Sequence, residues 1–293
     1  TIFPDIDEII KFEEFKSEVT ESYGYDVHNE IIEQLKALYR LGNDIQLHVH
    51  PQWTYAKFNN GDWGIKDGNK NIYDLMDDGV DVKAYLGKRI IYLKELLSDI
   101  NSSYVPRVCR LTNQGWTYPN KKISKVLKSL GIKFHTLSII DNHGRKGIFE
   151  LHKDSGLYEI PIYSQKISLI SNFSLLRMFI YGHNFLYTKA NKLLPSKSKI
   201  KNFKGKSERF SGTNLHMQKF DFCHLGFSEM CKHLNTALKR YYKKGEDFPL
   251  VIIGHSKDFF NSKDLDKFLK YVNSNLSDKV TFSKFGYFLN EKN

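Results

Sequence analysis

Residues 44–53 alternate strictly: Ile45, Leu47 and Val49 fall on one side of an extended strand, and Asp44, Gln46, His48 and His50 on the other. Pro51, which has no amide hydrogen, then takes the chain out of any sheet. Upstream, 1–3 reads as a strand. Helical periods follow over 6–23, with Ile9, Ile10, Phe12 and Phe15 on the apolar side, and over 28–41, closed by Gly42. Downstream, a helix is predicted over 82–98 through Leu86, Ile90, Leu93 and Leu97, and another enters at Pro119 and closes at Gly131. Further helices are predicted over 228–243 and 263–272. Strands are predicted at 108–111, 132–137, 148–152, 157–163 (Pro161 near an edge), 219–223, 250–253 and 280–285. The stretch 53–71 has no clear helical period and reads as a loop over the strand ends, and 167–187 is apolar and partly helical.

Strands and helices therefore alternate, which argues for an α/β chain built on a mostly parallel sheet or a β/α barrel. Functional side chains in such folds gather at the carboxyl ends of strands. His50, Arg110, His135 and His255 all fall at or just after predicted strand ends.

Two imidazoles at i and i+2, His48 and His50, project the same way and suit a divalent metal, since neutral imidazole is a common zinc ligand. An amphipathic edge strand with two solvated histidines reads equally well from this motif alone. His255 follows the apolar run 250–253 at a strand mouth, where partial desolvation lets an imidazole titrate near neutrality. Arg110 has the fork geometry that holds a carboxylate, or else ties two strands. Asp221, between Phe220 and Phe222, lines the same pocket or serves as an ordinary strand-end acid. Glu229 and His233 at i, i+4 read as a surface pair, and Asp258 as a structural cap. Aromatic residues of the 53–71 loop, Trp53 among them, stack on sugar rings or form a satellite core.

Composition narrows the class. The 293 residues are 41% hydrophobic and 14% aromatic with 7 prolines, so the chain is globular. No apolar run reaches the roughly 18 residues a membrane span needs. The net charge of +11 suits a polyanion or an anionic surface, and equally a lysine-rich surface without such a role. Part of the excess lies in a lysine-rich excursion over 191–212, which reads as a solvated basic loop more readily than as an anion site. Cys109, Cys223 and Cys231 show no Cys-x-x-Cys spacing, so free thiols in a reducing compartment are expected, with no zinc knot.

The segments DIQLHVHPQW, VCRLTNQGW, YEIPIY and VIIGHSKDF, in that order and at these separations, resemble the polysaccharide deacetylase (NodB-homology) family. The nearest likeness is to its lipopolysaccharide-biosynthesis branch, called WalW- or WbmS-like. The resemblance implies a single domain over 1–293 folded as a distorted (β/α)7-type barrel. It implies a divalent metal, most often zinc, bound by histidines and an aspartate. By position, His48 matches the first metal histidine. His50 would substitute for the second, because Gln52 stands where the family has it. His255 matches the general acid and Arg110 the base-orienting arginine. Trp53, Trp116 and Asp221 would line the substrate pocket. The family's acidic strand is expected ahead of a segment like TIFPDIDE, hence before Thr1. His135 stands where relatives carry an aspartate.

These features set three expectations. The first is metal-dependent removal of an N-acetyl group from a sugar of a bacterial surface polysaccharide or its precursor, in the cytoplasm at the inner face of the membrane. The second is an amidohydrolase- or PHP-type metal hydrolase, although His-x-His then belongs on the first barrel strand. The third is an inactive barrel that binds glycan or a polyanion through the aromatic loop and the 191–212 stretch.

Overall fold

A computed structural model of the chain describes residues 1–111, 119–137, 147–168, 215–256, 259 and 262–291. The chain forms two compact units, one of 1–163 with 220–293 and one of 164–219. In the second unit the described part is an antiparallel pair, β8 (Ser164–Ser168) with β9 (Leu215–Lys219). The 191–212 excursion and most of 167–187 lie outside the described residues.

The first unit is a mixed α/β structure around a parallel central sheet. Its ladder runs from β1 (Leu47–Val49) through β4 (Val108–Leu111) and β5 (Phe134–His135) to β7 (Tyr158–Glu159). Antiparallel β6 (Phe149–Glu150) forms the edge. Isolated parallel bridges extend the sheet both ways: Ile2 to Ile45 and Asp5 to His48 on one side, Ile162 to Val251 and Asp221 to Ile253 on the other. Among the described residues no bridge joins the segment at Val251–Ile253 back to Ile2.

Register decides what each face carries. Leu47, Cys109, His135 and Glu159 lie side by side across the ladder, and Ile45, Leu47, Val49 and Cys109 are fully buried in the main core beneath the helices. Each such aliphatic side chain is worth about 1.5–3 kcal/mol. The opposite face has an apolar floor of Val108, Phe134 and Ile160, packed with Phe3 and Val251. Alternation then places Asp5, His48 and Arg110 above that floor, toward the carboxyl ends of the strands.

The helices follow the apolar periods with some differences. The predicted 6–23 helix is two, α1 (Ile6–Glu14) and α2 (Lys16–Tyr23), separated at Phe15. Helices α3 (Val27–Arg40) and α5 (Val82–Leu97) match their patterns, and α4 (Ile72–Asp77) is an extra short helix with a capping box from Asn71. The loop over 53–71 is more ordered than expected. It holds a 3-10 helix at Pro51–Tyr55 and a hairpin of β2 (Lys57–Asn59) and β3 (Asp62–Gly64), turned by Asn60 and Gly61 at positive φ. Helix α6 (Lys121–Ser129) is capped by Asn120, and α7 (Phe227–Tyr241) and α8 (Ser262–Asn275) cover the later strands. The predicted strand over 280–285 is absent. Instead α9 (Phe285–Glu291) brings Phe285, Phe288 and Leu289 against Val108, Phe134 and Ile160, an i, i+3, i+4 spacing that only a helix satisfies.

Candidate active site

The site starts at the end of β1. His48 is 8% exposed, and its Nδ1 lies 2.8 Å from the carbonyl oxygen of Arg110. A carbonyl only accepts, so Nδ1 carries the hydrogen and the neutral ring keeps its lone pair on Nε2. Burial holds the imidazole well below its ordinary pKa, and His50, Arg110 and His255 push it further down. The His50 ring sits 4.4 Å from that of His48 at 61°. The two histidines converge, as their spacing requires.

Two carboxylates from the first residues of the chain meet them. Asp5 bridges His48 through its backbone and ends the N-terminal strand at the start of α1. Its Oδ1 accepts the Glu8 amide at 3.2 Å as an N-cap, and its Oδ2 pairs with His50 Nδ1. Burial pushes the Asp5 carboxyl up, against the pull of His50. Asp7, 2% exposed, accepts the His50 amide at 2.9 Å and the Tyr85 hydroxyl at 2.7 Å on Oδ2, and Arg89 Nε at 2.7 Å on Oδ1. The TIFPDIDE segment thus itself brings two aspartates to the histidines, which the sequence reading did not anticipate. The strand read over 1–3 pairs only through single bridges at Ile2 and Asp5; the readable signal for the acids was Asp-x-Asp opening a helix just after it.

The other side of the site comes from β4 and the later bridges. Burial works against the charge on the Arg110 guanidinium, and the Asp221 carboxylate offsets this. The Arg110 Nε is buried without a hydrogen-bond partner. Burial tends to raise the Asp221 pKa, but His224 at 3.0 Å, the Cys223 amide at 2.9 Å and His255 together bring it below the usual value. His255 therefore lies within electrostatic reach of both His48 and Asp221. Its backbone is tied to Cys223, with its amide 3.3 Å from Sγ and its carbonyl 3.4 Å from the same atom. Gly254, just before it, lies under the Phe222 ring, where a Cβ would meet the ring at 2.3 Å.

Several sequence-derived candidates fall elsewhere. Trp53 is 8% exposed and packs edge-on to Trp63 at 5.2 Å within an aromatic cluster, so it is packing rather than a substrate platform. Tyr55 is the exposed aromatic of that segment. Trp116 and Asp258 lie outside the described residues. His135 is on the opposite face from His48 and Arg110, fully buried, with Nδ1 2.6 Å from Glu159. His233 is buried against Tyr163 and Phe220 instead of forming a surface pair, and Glu229 caps Gly226.

The donor types suit a divalent ion: a carboxylate oxygen, Asp5 Oδ2, and two imidazoles, one oriented by a carbonyl so that Nε2 faces outward from that bond. Among the described residues, no three His, Cys, Asp or Glu side chains already stand as a metal-holding group. Asp5 and His50 bond each other directly.

No family model matches the chain, and no curated protein does. A crystal structure from Mycobacterium smegmatis, provisionally described as a polysaccharide deacetylase, is similar at 14% identity and a TM-score of 0.44. The match covers 89% of this chain, which spans 66% of that structure's length. No described helix is long and apolar enough to cross a membrane.

Proposed function

We propose that the chain is a metal-dependent hydrolase that removes an N-acetyl group from a sugar of a bacterial surface polysaccharide or its precursor, on a β/α-barrel scaffold of the deacetylase kind. The observation that carries this reading is that Asp5, His48 and His50 come together at the end of β1, with Arg110 and His255 near enough for their charges to act on His48. The resemblance of the motifs supplies the substrate class.

Asp5, His48 and His50 would hold a divalent ion, zinc being the best match to these donors. When bound, such an ion would supply Lewis-acid polarisation of an acetamide carbonyl and of the attacking water. Burial keeps His48 neutral, so its lone pair stays available at neutral pH. His255 takes the proton of the attacking water and passes it to the amine nitrogen as the C–N bond breaks, leaving acetate and a free amino sugar. Arg110 and Asp221, whose charges act on each other, would orient His255, and the buried Arg110 Nε would supply a donor to a developing negative oxygen. A barrel bottom closed by Phe3, Val108, Phe134, Ile160 and Val251 would keep solvent from that end.

Acetate release from a panel of N-acetylated oligosaccharides and nucleotide sugars, with the metal-reconstituted protein, tests the reading. His255→Ala is expected to lower kcat by about 10²–10⁴-fold with zinc affinity unchanged. Equal rates in the variant, or no acetate from any member of the panel, would contradict it.

A further inference from the structure

We infer that Asp7 is a positioning residue that aims His50 at Asp5 and His48, acting through a buried clamp with Tyr85 and Arg89. The inference rests on the metal-site reading above but stands on its own geometry. His50 is the residue where β1 ends and the 3-10 helix begins, with φ −119° and ψ 89°. Nothing in the strand ladder fixes it, because β1 stops at Val49. Its amide is instead held by Asp7 Oδ2 at 2.9 Å.

The carboxylate that does this is buried and held by two further bonds. The Tyr85 hydroxyl bonds the same oxygen at 2.7 Å, and Arg89 Nε bonds the other at 2.7 Å. Arg89 also donates from Nη1 to the Tyr85 carbonyl at 3.2 Å, and its guanidinium lies 3.6 Å from the centroid of the Tyr85 ring. Tyr85 and Arg89 are one helical turn apart on α5, so a rigid helix backs the carboxylate. Burial and Asp7 together push the Tyr85 hydroxyl's pKa up, so it remains a donor.

His50 is thus gripped at both ends, by Asp5 at the ring and Asp7 at the backbone, from two residues two positions apart at the start of α1. Among the described residues the Asp5 carboxylate bonds the Glu8 amide and the His50 ring. The expected consequence of loosening the clamp is a rotated His50 ring, with Asp5 left in place by its cap on Glu8. Orienting groups outside a ligand set typically alter metal affinity by about 10–100-fold.

The test uses the full chain with Asp7→Ala, and Arg89→Met and Tyr85→Phe as milder variants should Asp7→Ala fail to fold. In metal-free protein with labelled histidines, a nuclear Overhauser contact between the His48 and His50 rings is expected in the wild type. It is expected to weaken or vanish in the variants, with the His48 contacts to β4 retained. Cobalt(II) titration is then expected to give a Kd about 10–100-fold weaker and an altered absorption spectrum in the variants. An unchanged ring–ring contact in variants that have lost thermal stability would overturn the inference, since it would reduce the clamp to a structural one. So would an unchanged cobalt(II) spectrum and Kd. Failure of the wild type to bind cobalt(II) would instead sink the metal reading, with the ring contact still deciding the role of Asp7.

Discussion

His48 shows how burial sets chemistry at a single position. The folded state resists protonating this ring, chiefly through desolvation and then through the cations and imidazoles around it. Its folded pKa lies below the unfolded value of about 6.5, so above that pH the ring is neutral in both states and contributes nothing to pH dependence. Below it the unfolded chain takes up a proton that the folded chain refuses, and stability falls by up to about 1.4 kcal/mol per pH unit. In metal-free protein, urea unfolding at pH 7, 6 and 5 is therefore expected to show a steeper loss in the wild type than in His48→Gln. Equal slopes would mean that His48 is not desolvated as described. The convergence of His48 and His50, and the place of His255 just after an apolar segment, were legible in the sequence because period-two alternation and an apolar run fix where such residues fall. The place of Asp5 and Asp7 was not, because they lie beyond the strand read over 1–3, at the start of a helix, and the pairing that sets them beside His48 and His50 is a long-range one. His135 misled for the opposite reason: its strand position was right, but register puts it on the helix-covered face beside Glu159.

Among the elements, β1 and β4 hold the site together, and one side chain completes their pairing. Gln46, 3% exposed, accepts both the Arg107 and Val108 amides on Oε1 at 2.9 Å, and its Nε2 donates to Asp44 at 2.7 Å. It substitutes for ladder bonds at the point where β4 begins beside β1. Gln46→Leu would strand two amides, at least one of them buried, and is expected to cost about 2 kcal/mol or more in chemical denaturation. Asp44→Ala, which leaves both amides bonded to Gln46, should cost less. Similar losses in both variants would argue against the bridging role. The same locality explains the failure over 280–285: alternating apolar residues read as a strand, yet Phe285, Phe288 and Leu289 gain more by covering the floor of the sheet as α9. The hairpin over 57–64 was missed although Asn60-Gly61 is a standard hairpin turn, because the strands it joins are only three residues each.

At the scale of the molecule, alternation of strands and helices correctly gave an α/β chain with a parallel central sheet, since long connections between short apolar runs leave few other layouts. The order of strands could not be read, because it depends on helix packing that a linear pattern does not encode. What the sheet achieves is to carry polar side chains from distant segments to one end of a shared apolar floor, where charges are desolvated enough to influence one another. Counting the ions bound there tests that claim most directly. Zinc titration by calorimetry, read with X-ray absorption of the loaded protein, should give one ion per chain with two imidazoles and a carboxylate oxygen as ligands, and His48→Ala or Asp5→Asn should abolish tight binding. Two zinc ions within about 4 Å, or one whose affinity survives both substitutions, would contradict it.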